Sequence, residues 1–273
     1  MSMKSGSDNS GKKGPSGRSY RNATGLTRQP KKMRGRKVSS QRWLTRQLND
    51  PYVAEAKARG YRSRAAIKLE QIDDRYQLLK PGMAIIDLGC APGGWLQVAS
   101  IRTKLGISKA KLVGIDLLET EHVVDADIFV GDMTEDAMMA QMKDAVGGGA
   151  DGVMSDMAAD TTGHRATDHL RTTALLETAL DFALEVLRKD GFFLAKCFRG
   201  GAERSVLDLM RQNFKTVRHV KPTASRSESV ESYVLATGYH GNGLENMSKD
   251  TPDDAPQDAS KNAPVNPKDE DAG

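Results

Sequence analysis

Gly89, Gly93 and Gly94 fall in the stretch Gly89-Cys-Ala-Pro-Gly-Gly-Trp95, directly after the apolar run Met83 to Leu88. A turn rich in glycine lets a ligand approach the backbone closely, because no Cβ stands in the way. The spacing is not the G-x-G-x-x-G of a dinucleotide site, and no Gly-Lys-Ser/Thr follows as in a Walker loop. Two acids complete the pattern: Asp116 closes a second apolar run that starts at Lys111, and Asp132 follows a third, Ala126 to Val130. An acid at the first position suits the two hydroxyls of a ribose. One at the second could accept from an adenine amino group. A ligand with ribose, adenine and no phosphate is called for, and the combination favours S-adenosylmethionine, which also carries a cationic sulfonium.

A second set of residues could do chemistry on such a ligand. Lys196 lies in Gly191-Phe-Phe-Leu-Ala-Lys-Cys-Phe198, where an amine among apolar neighbours needs a partner or a purpose. Asp156 ends the run Asp151 to Asp156, and Glu231 opens the last apolar run, Glu231 to Thr237. Lys68 lies one helical turn before Ile72, beside an apolar stripe, where it can snorkel or point into a cleft.

The elements that must position these residues alternate regularly. Strands are predicted over 83–88, 111–116, 126–130, 151–156, 191–198, 215–221 and 231–237. Helices are predicted over 94–105, 134–146, 168–188 and 203–213, with another from a Ser63 cap to about Leu79. Two short helices or turns, over 41–46 and 50–57, precede that one. Strands alternating with helices give an α/β fold, a mostly parallel seven-stranded sheet covered on both faces. No helix separates the last two strands, so one of them should run antiparallel. Ligands of such sheets sit outside the carboxyl ends of the strands. Asp156 and Lys196 then meet at that edge, and an antiparallel last strand beside strand five places Glu231 beside Lys196.

The 273 residues carry a formal charge of +4, enough for one ordinary domain with tails. Residues 1–40 are basic, apolar-poor and expected to be disordered, and residues 241–273 read as an acidic disordered tail. The domain between them spans 41–240. Basic clusters such as Arg34-Gly-Arg-Lys37 can neutralise phosphates, although a solubilising tail and a mitochondrial transit segment are other readings of the same composition. Cys90 and Cys197 form no C-x-x-C pair and are expected to be reduced packing residues. No membrane-spanning run, signal-peptide core or metal-ligand spacing appears, so a cytoplasmic monomer without metal is expected.

From Arg42 to Gly238 the chain resembles the FtsJ/RlmE ribosomal RNA 2′-O-ribose methyltransferases. The resemblance rests on Arg62-Ser-Arg-Ala-Ala-Ile-Lys-Leu69, Asp87 to Trp95, Asp116-Leu-Leu118, Gly131-Asp132, Met154-Ser-Asp-Met-Ala158, Lys196, Lys221-Pro222, Ser225-Arg226, Glu231 and Tyr233 to Gly238. It implies a Rossmann-like methyltransferase fold and a tetrad of Lys68, Asp156, Lys196 and Glu231. It also implies S-adenosylmethionine contacts at Gly93, Trp95, Asp116, Asp132 and Asp156, and a uridine of large-subunit ribosomal RNA in the assembled particle as substrate. Where the family usually continues Asp-Met-Ala with Pro-Asn, this chain has Ala159-Asp160. A lysine is a usable base near neutral pH only if its pKa falls well below the ~10.4 of a free side chain. Lys196 is the expected base, with Lys68 and Glu231 orienting the ribose; a weaker version has the tetrad only align the hydroxyl. Arg42, Arg46, Lys57, Arg59, Arg62 and Arg64 are expected to meet RNA phosphates, and Trp43, Tyr52 and Tyr61 either stack bases or anchor the segment. A 2′-O-methyltransferase of tRNA or mRNA caps and a non-catalytic RNA-binding assembly factor are the alternative readings.

Overall fold

The computed structural model describes residues 38–159, 162–198 and 204–241, without the side chains at 38, 39, 42 and 43. Three helices open the described chain: α1 (Val38–Asn49), α2 (Pro51–Ala58) and α3 (Ala65–Tyr76). Then follow β1 (Ala84–Leu88), α4 (Gly94–Thr103), β2 (Lys111–Asp116), β3 (Asp127–Val130), α5 (Asp136–Ala145), β4 (Ala150–Ser155) and α6 (Arg165–Val186). The series ends with β5 (Leu187–Phe198), α7 (Arg204–Asn213), β6 (Phe214–Val220) and β7 (Glu231–Tyr239). Apart from 38–40 and 241, both predicted tails lie outside the described residues, as does Asp160.

The seven strands form one sheet in the order β3-β2-β1-β4-β5-β7-β6, with β7 antiparallel to both its neighbours. The order reverses between β1 and β4, whose carboxyl ends carry the glycine turn and Asp156. That is where an open α/β sheet presents a crevice. Period-two alternation divides the buried strand residues between two faces. Ile86, Val113, Val153, Phe193 and Val234 pack with Leu176, Leu180 and Ala183 of α6, and with Met142 of α5 and Met210 of α7. Ile85, Leu112, Met154, Leu194, Tyr233 and Leu235 pack against Leu69 and Ile72 of α3 and Leu96 of α4.

Two local expectations need correction. Ser63 does not cap α3: Arg64 occupies the cap position, and no side chain bonds the exposed amides there. The Ser63 hydroxyl is instead buried without a hydrogen-bond partner, turned toward Gly94 where a Cβ would lie 2.5 Å away. Nor does α3 reach Leu79, because Gln77 takes a left-handed conformation (φ 52°) that ends the helix after Tyr76. Leu78 and Leu79 are still buried, so the apolar pattern runs on into a connector whose Leu79 amide donates to the Asp73 carboxylate at 2.8 Å. At the other end of the sheet, β5 starts four residues before the predicted Gly191, with a register irregularity between Ala150 and Gly152.

Candidate active site

At the carboxyl edge of the central strands, four ionisable side chains from four elements converge on the α3 face of the sheet. The Lys196 amine donates to the Asp156 carboxylate at 2.9 Å and to the Asp156 carbonyl at 2.8 Å. The Lys68 amine, on the inward side of α3, pairs with Glu231 at 2.6 Å. Side-chain exposures of 6% for Lys68, 10% for Lys196, 16% for Asp156 and 17% for Glu231 put both pairs in a water-poor setting, open on one side. Charges so placed must be matched, since an unpaired one would be expensive to bury.

Tyr233 joins the two pairs, a role that sequence reasoning did not assign to it. Its hydroxyl donates to Asp156 at 2.8 Å and accepts from Lys68 at 3.2 Å. Strand register accounts for this: Lys196 stands opposite Tyr233, and Glu231 stands one step away, opposite Phe198. Glu231 is therefore diagonal to Lys196 and forms its ion pair with Lys68. The available signal was spacing, because residues 231 and 233 of a strand share a face. Burial pushes the Tyr233 phenol well above its ordinary range, and the Asp156 and Glu231 carboxylates add to that, so it stays a neutral donor. For Glu231, burial works to raise the carboxyl, but Lys68, Lys196 and a 2.8 Å bond from the Ser225 hydroxyl outweigh it and hold it below the usual range.

The glycine turn lies against these groups. Gly89 (φ 74°) and Gly93 (φ 102°) both need left-handed backbone. A Cβ on Gly89 would collide with Met157, and one on Gly93 with the Arg62 guanidinium. Asp116 accepts from the amides of Ala91 and Leu118, both at 2.9 Å, which braces the turn against the end of β2. Asp132 is exposed and accepts from the amide and hydroxyl of Thr134, which hold its carboxyl below the usual range. Trp95 is buried, its indole nitrogen donating to the Ala65 carbonyl at 2.9 Å and its ring 5.7 Å from that of Tyr233. Its side chain therefore supports the site from beneath. Asp87 is fully enclosed on β1 with no hydrogen-bond partner for either oxygen. Burial raises its pKa well above the usual range, and the nearby Asp156 and Asp116 raise it further. Three carboxyl groups within electrostatic reach of one another, beside a glycine-bearing turn, suit a ligand with a cationic centre, which would favour their ionised forms.

The basic segment before β1 proves to be sorted by function. Arg59 is tied to Glu70 at 2.5 Å and Glu55 at 3.3 Å, and the Tyr61 hydroxyl donates to the same Glu70 at 2.6 Å. Arg62 donates to the carbonyls of Pro92, Glu121 and His122, clasping the glycine turn to the loop after β2. Tyr61 thus acts as an anchor, and Arg59 and Arg62 as structural ties. Arg64 pairs with Asp50, while Arg46 and Lys57 are exposed. The side chains of Arg42 and Trp43 lie outside the described residues. Both cysteines are free and buried, and burial pushes their thiols up to about 12. Among the described residues no group of three or more His, Cys, Asp or Glu is placed to hold a metal, and no helix is long and apolar enough to cross a membrane.

Comparison with known proteins agrees with this geometry. The FtsJ-like methyltransferase family model matches residues 61–239. A protein of Mesorhizobium japonicum named ribosomal RNA large subunit methyltransferase E is 55% identical over 211 residues, which cover 77% of this chain and 80% of that one. The protein of the same name from Bradyrhizobium diazoefficiens is 56% identical over 206 residues, covering 76% of this chain and 90% of its own. A crystal structure from Plasmodium falciparum, provisionally described as a ribosomal RNA methyltransferase, superposes with a TM-score of 0.59 at 29% identity, over 66% of this chain and all of that one. With the family model spanning well over half of its length, this chain belongs to the FtsJ-like methyltransferase family.

Proposed function

We propose that this enzyme transfers a methyl group from S-adenosylmethionine to the 2′-hydroxyl of a uridine ribose in large-subunit ribosomal RNA, in the cytoplasm and on the assembled subunit. One observation carries the reading: two part-buried lysine–carboxylate pairs are joined through the Tyr233 hydroxyl at the strand edge where the glycine turn opens. The relatives' names, at about 55% identity over three quarters of the chain, support the ribosomal substrate. Bound S-adenosylmethionine supplies a methyl group activated by a cationic sulfur. Gly89 and Gly93 let Met157 and Arg62 close against the turn that would cradle it, Asp116 and Asp132 are the acids that would read its ribose and adenine, and Asp116 and Asp156 would face the cation, whose charge would in turn favour ionisation of the buried Asp87.

The chain's own residues then handle the acceptor. Lys196 directs two of its three donor positions to Asp156, and the third is available to the ribose oxygen. The neutral form of this amine accepts the 2′-hydroxyl proton as the new carbon–oxygen bond forms and the carbon–sulfur bond breaks, and Asp156 stabilises the resulting ammonium. Lys68 and Glu231 fix the opposite side of the ribose, and Tyr233 holds both pairs in one register. Proton transfer by a positioned side chain typically accelerates a reaction about 10²–10⁴-fold. Lys196→Ala should therefore reduce methylation of undermethylated large subunits about a thousandfold or more, with S-adenosylmethionine binding nearly unchanged and the melting temperature lowered because Asp156 loses its partner. Near-native turnover of that variant would refute the assignment.

A further inference from the structure

A cavity of about 610 Å³ lies beside the tetrad, walled by the α1–α2 junction (Arg46, Asp50, Tyr52), by Arg64 before α3, and by the loop from Lys221 to Glu228. Its wall is one hydrogen bond from the tetrad, since the buried Ser225 donates to Glu231. The loop is tied to α3 at its middle and closed by a bond across its base. The Ala224 amide donates to Gln71 of α3 at 2.8 Å, and Lys221 donates to the Ser229 carbonyl at 2.6 Å.

Charge in the cavity is unbalanced. Asp50 pairs with both Arg64 and Arg226, the latter at 3.2 Å, and side-chain exposures are 6%, 17% and 23% respectively. Two guanidinium groups sharing one carboxylate leave one net positive charge in a poorly hydrated position. Among the described residues, each of these arginines binds Asp50 through a single nitrogen and has no other acceptor. At the rim the exposed Glu228 carboxylate lies within electrostatic reach of Arg226 and Arg46 and offsets part of that charge, yet the lining still sets Arg46, Arg64, Lys221 and Arg226 against only Asp50 and Glu228. Such a lining keeps a surplus of positive charge that an anionic ligand would balance. A planar fork with unused donors matches a phosphodiester, and the volume suits one nucleotide.

We propose that this cavity is a second RNA subsite, which seats a nucleotide adjoining the methylated ribose with its phosphate on Arg226 and Arg64 and its base against Tyr52. The proposal rests on the reading of the tetrad as an RNA ribose site and extends it to flanking sequence. It also reassigns the basic front: Arg46 and Arg64 face RNA together with Arg226 from the far end of the chain, whereas Arg59 and Arg62 serve the protein's own frame.

The test uses the full-length protein. Binding of a short single-stranded oligoribonucleotide is titrated against salt, and methylation of undermethylated large subunits gives KM and kcat. Arg226→Gln should weaken oligoribonucleotide binding and raise KM about tenfold, flatten the log–log salt slope by about 0.7 for the one lost phosphate contact, and leave kcat and S-adenosylmethionine affinity within about twofold. Arg226→Lys should restore part of the affinity. If Arg226→Gln fails to fold because Asp50 has lost a partner, Arg46→Ala at the exposed rim carries the same salt-slope test. Wild-type affinity and slope in the folded variants would overturn the subsite, as would inorganic phosphate binding as tightly as the oligoribonucleotide. Because the readout is binding, it is separable from the reaction: Lys196→Ala retaining turnover would refute the catalytic reading without touching this result.

Discussion

Replacing Tyr233 with Phe removes one oxygen and leaves the ring, its burial and its packing on Trp95 in place. Two hydrogen bonds to charged partners disappear, one to Asp156 at 2.8 Å and one from Lys68 at 3.2 Å. Bonds of this kind contribute about 1.5–3 kcal/mol each, offset in part because the hydroxyl no longer has to be desolvated. Both charged partners keep their main ion pairs, Lys196 and Glu231. A net loss of about 2–3 kcal/mol follows. For a domain of this size each kcal/mol lowers Tm by about 2–4 °C, so calorimetry should show a fall of roughly 4–12 °C. Loosening the link between the pairs should also misalign Lys196, and a drop in kcat of about tenfold corresponds to roughly 1.4 kcal/mol of lost transition-state stabilisation. S-adenosylmethionine affinity should stay within about twofold, because Asp156 keeps its ion pair with Lys196 and the glycine turn is untouched. A variant with reduced Tm but undiminished kcat would show that Tyr233 only holds the fold together, and the idea of a connected tetrad would fail. Unchanged values of both would remove the hydrogen-bonded chain altogether.

Glu231 has a folded-state pKa below its ordinary value, so the stability it contributes is fully present above the unfolded carboxyl pKa of about 4.3 and is lost as pH falls through the folded value. The stability gap between the wild type and Glu231→Gln, measured by urea denaturation, should therefore narrow below about pH 4; parallel curves would contradict the ion pair. Gly93→Ala combines a left-handed φ of 102° with a collision against Arg62 and a 3.2 Å contact to Thr120, so it should weaken S-adenosylmethionine binding about tenfold or more and destabilise the fold by roughly 1–2 kcal/mol. Gly60→Ala, with φ 76° and open space around it, should show the backbone penalty alone, and calorimetric titration of both separates the two effects.

Much of this protein could be read from periodicity and punctuation. Short, largely apolar runs bounded by glycine or acids mark every strand but β6, whose Phe-Lys-Thr-Val-Arg-His-Val is mostly polar, and α6 carries its core face at the expected Leu176, Leu180 and Ala183. Boundaries were legible only within a few residues where backbone conformation rather than composition sets them. Gln77 ends α3 by adopting a left-handed turn that its residue type does not announce, and Ser63 packs against Gly94 in place of capping a helix. Lys68, Asp156, Lys196 and Glu231 could be nominated from residue type and family resemblance, but their partners could not. Which lysine pairs with which carboxylate depends on the register of β7 against β5 and on the rotation of α3 over the sheet.

Sequence by itself determined the alternation of elements, the glycine-bearing turn and the supply of ionisable groups, because local propensity and hydrophobic period act within a few residues. Only the tertiary structure decided that Tyr233 links the two ion pairs, that Arg59 and Arg62 are occupied within the protein, and that Asp50 leaves Arg64 and Arg226 with a charge to spare. Those outcomes depend on distances between segments up to 176 residues apart in the chain, and such distances are set by packing of the whole domain.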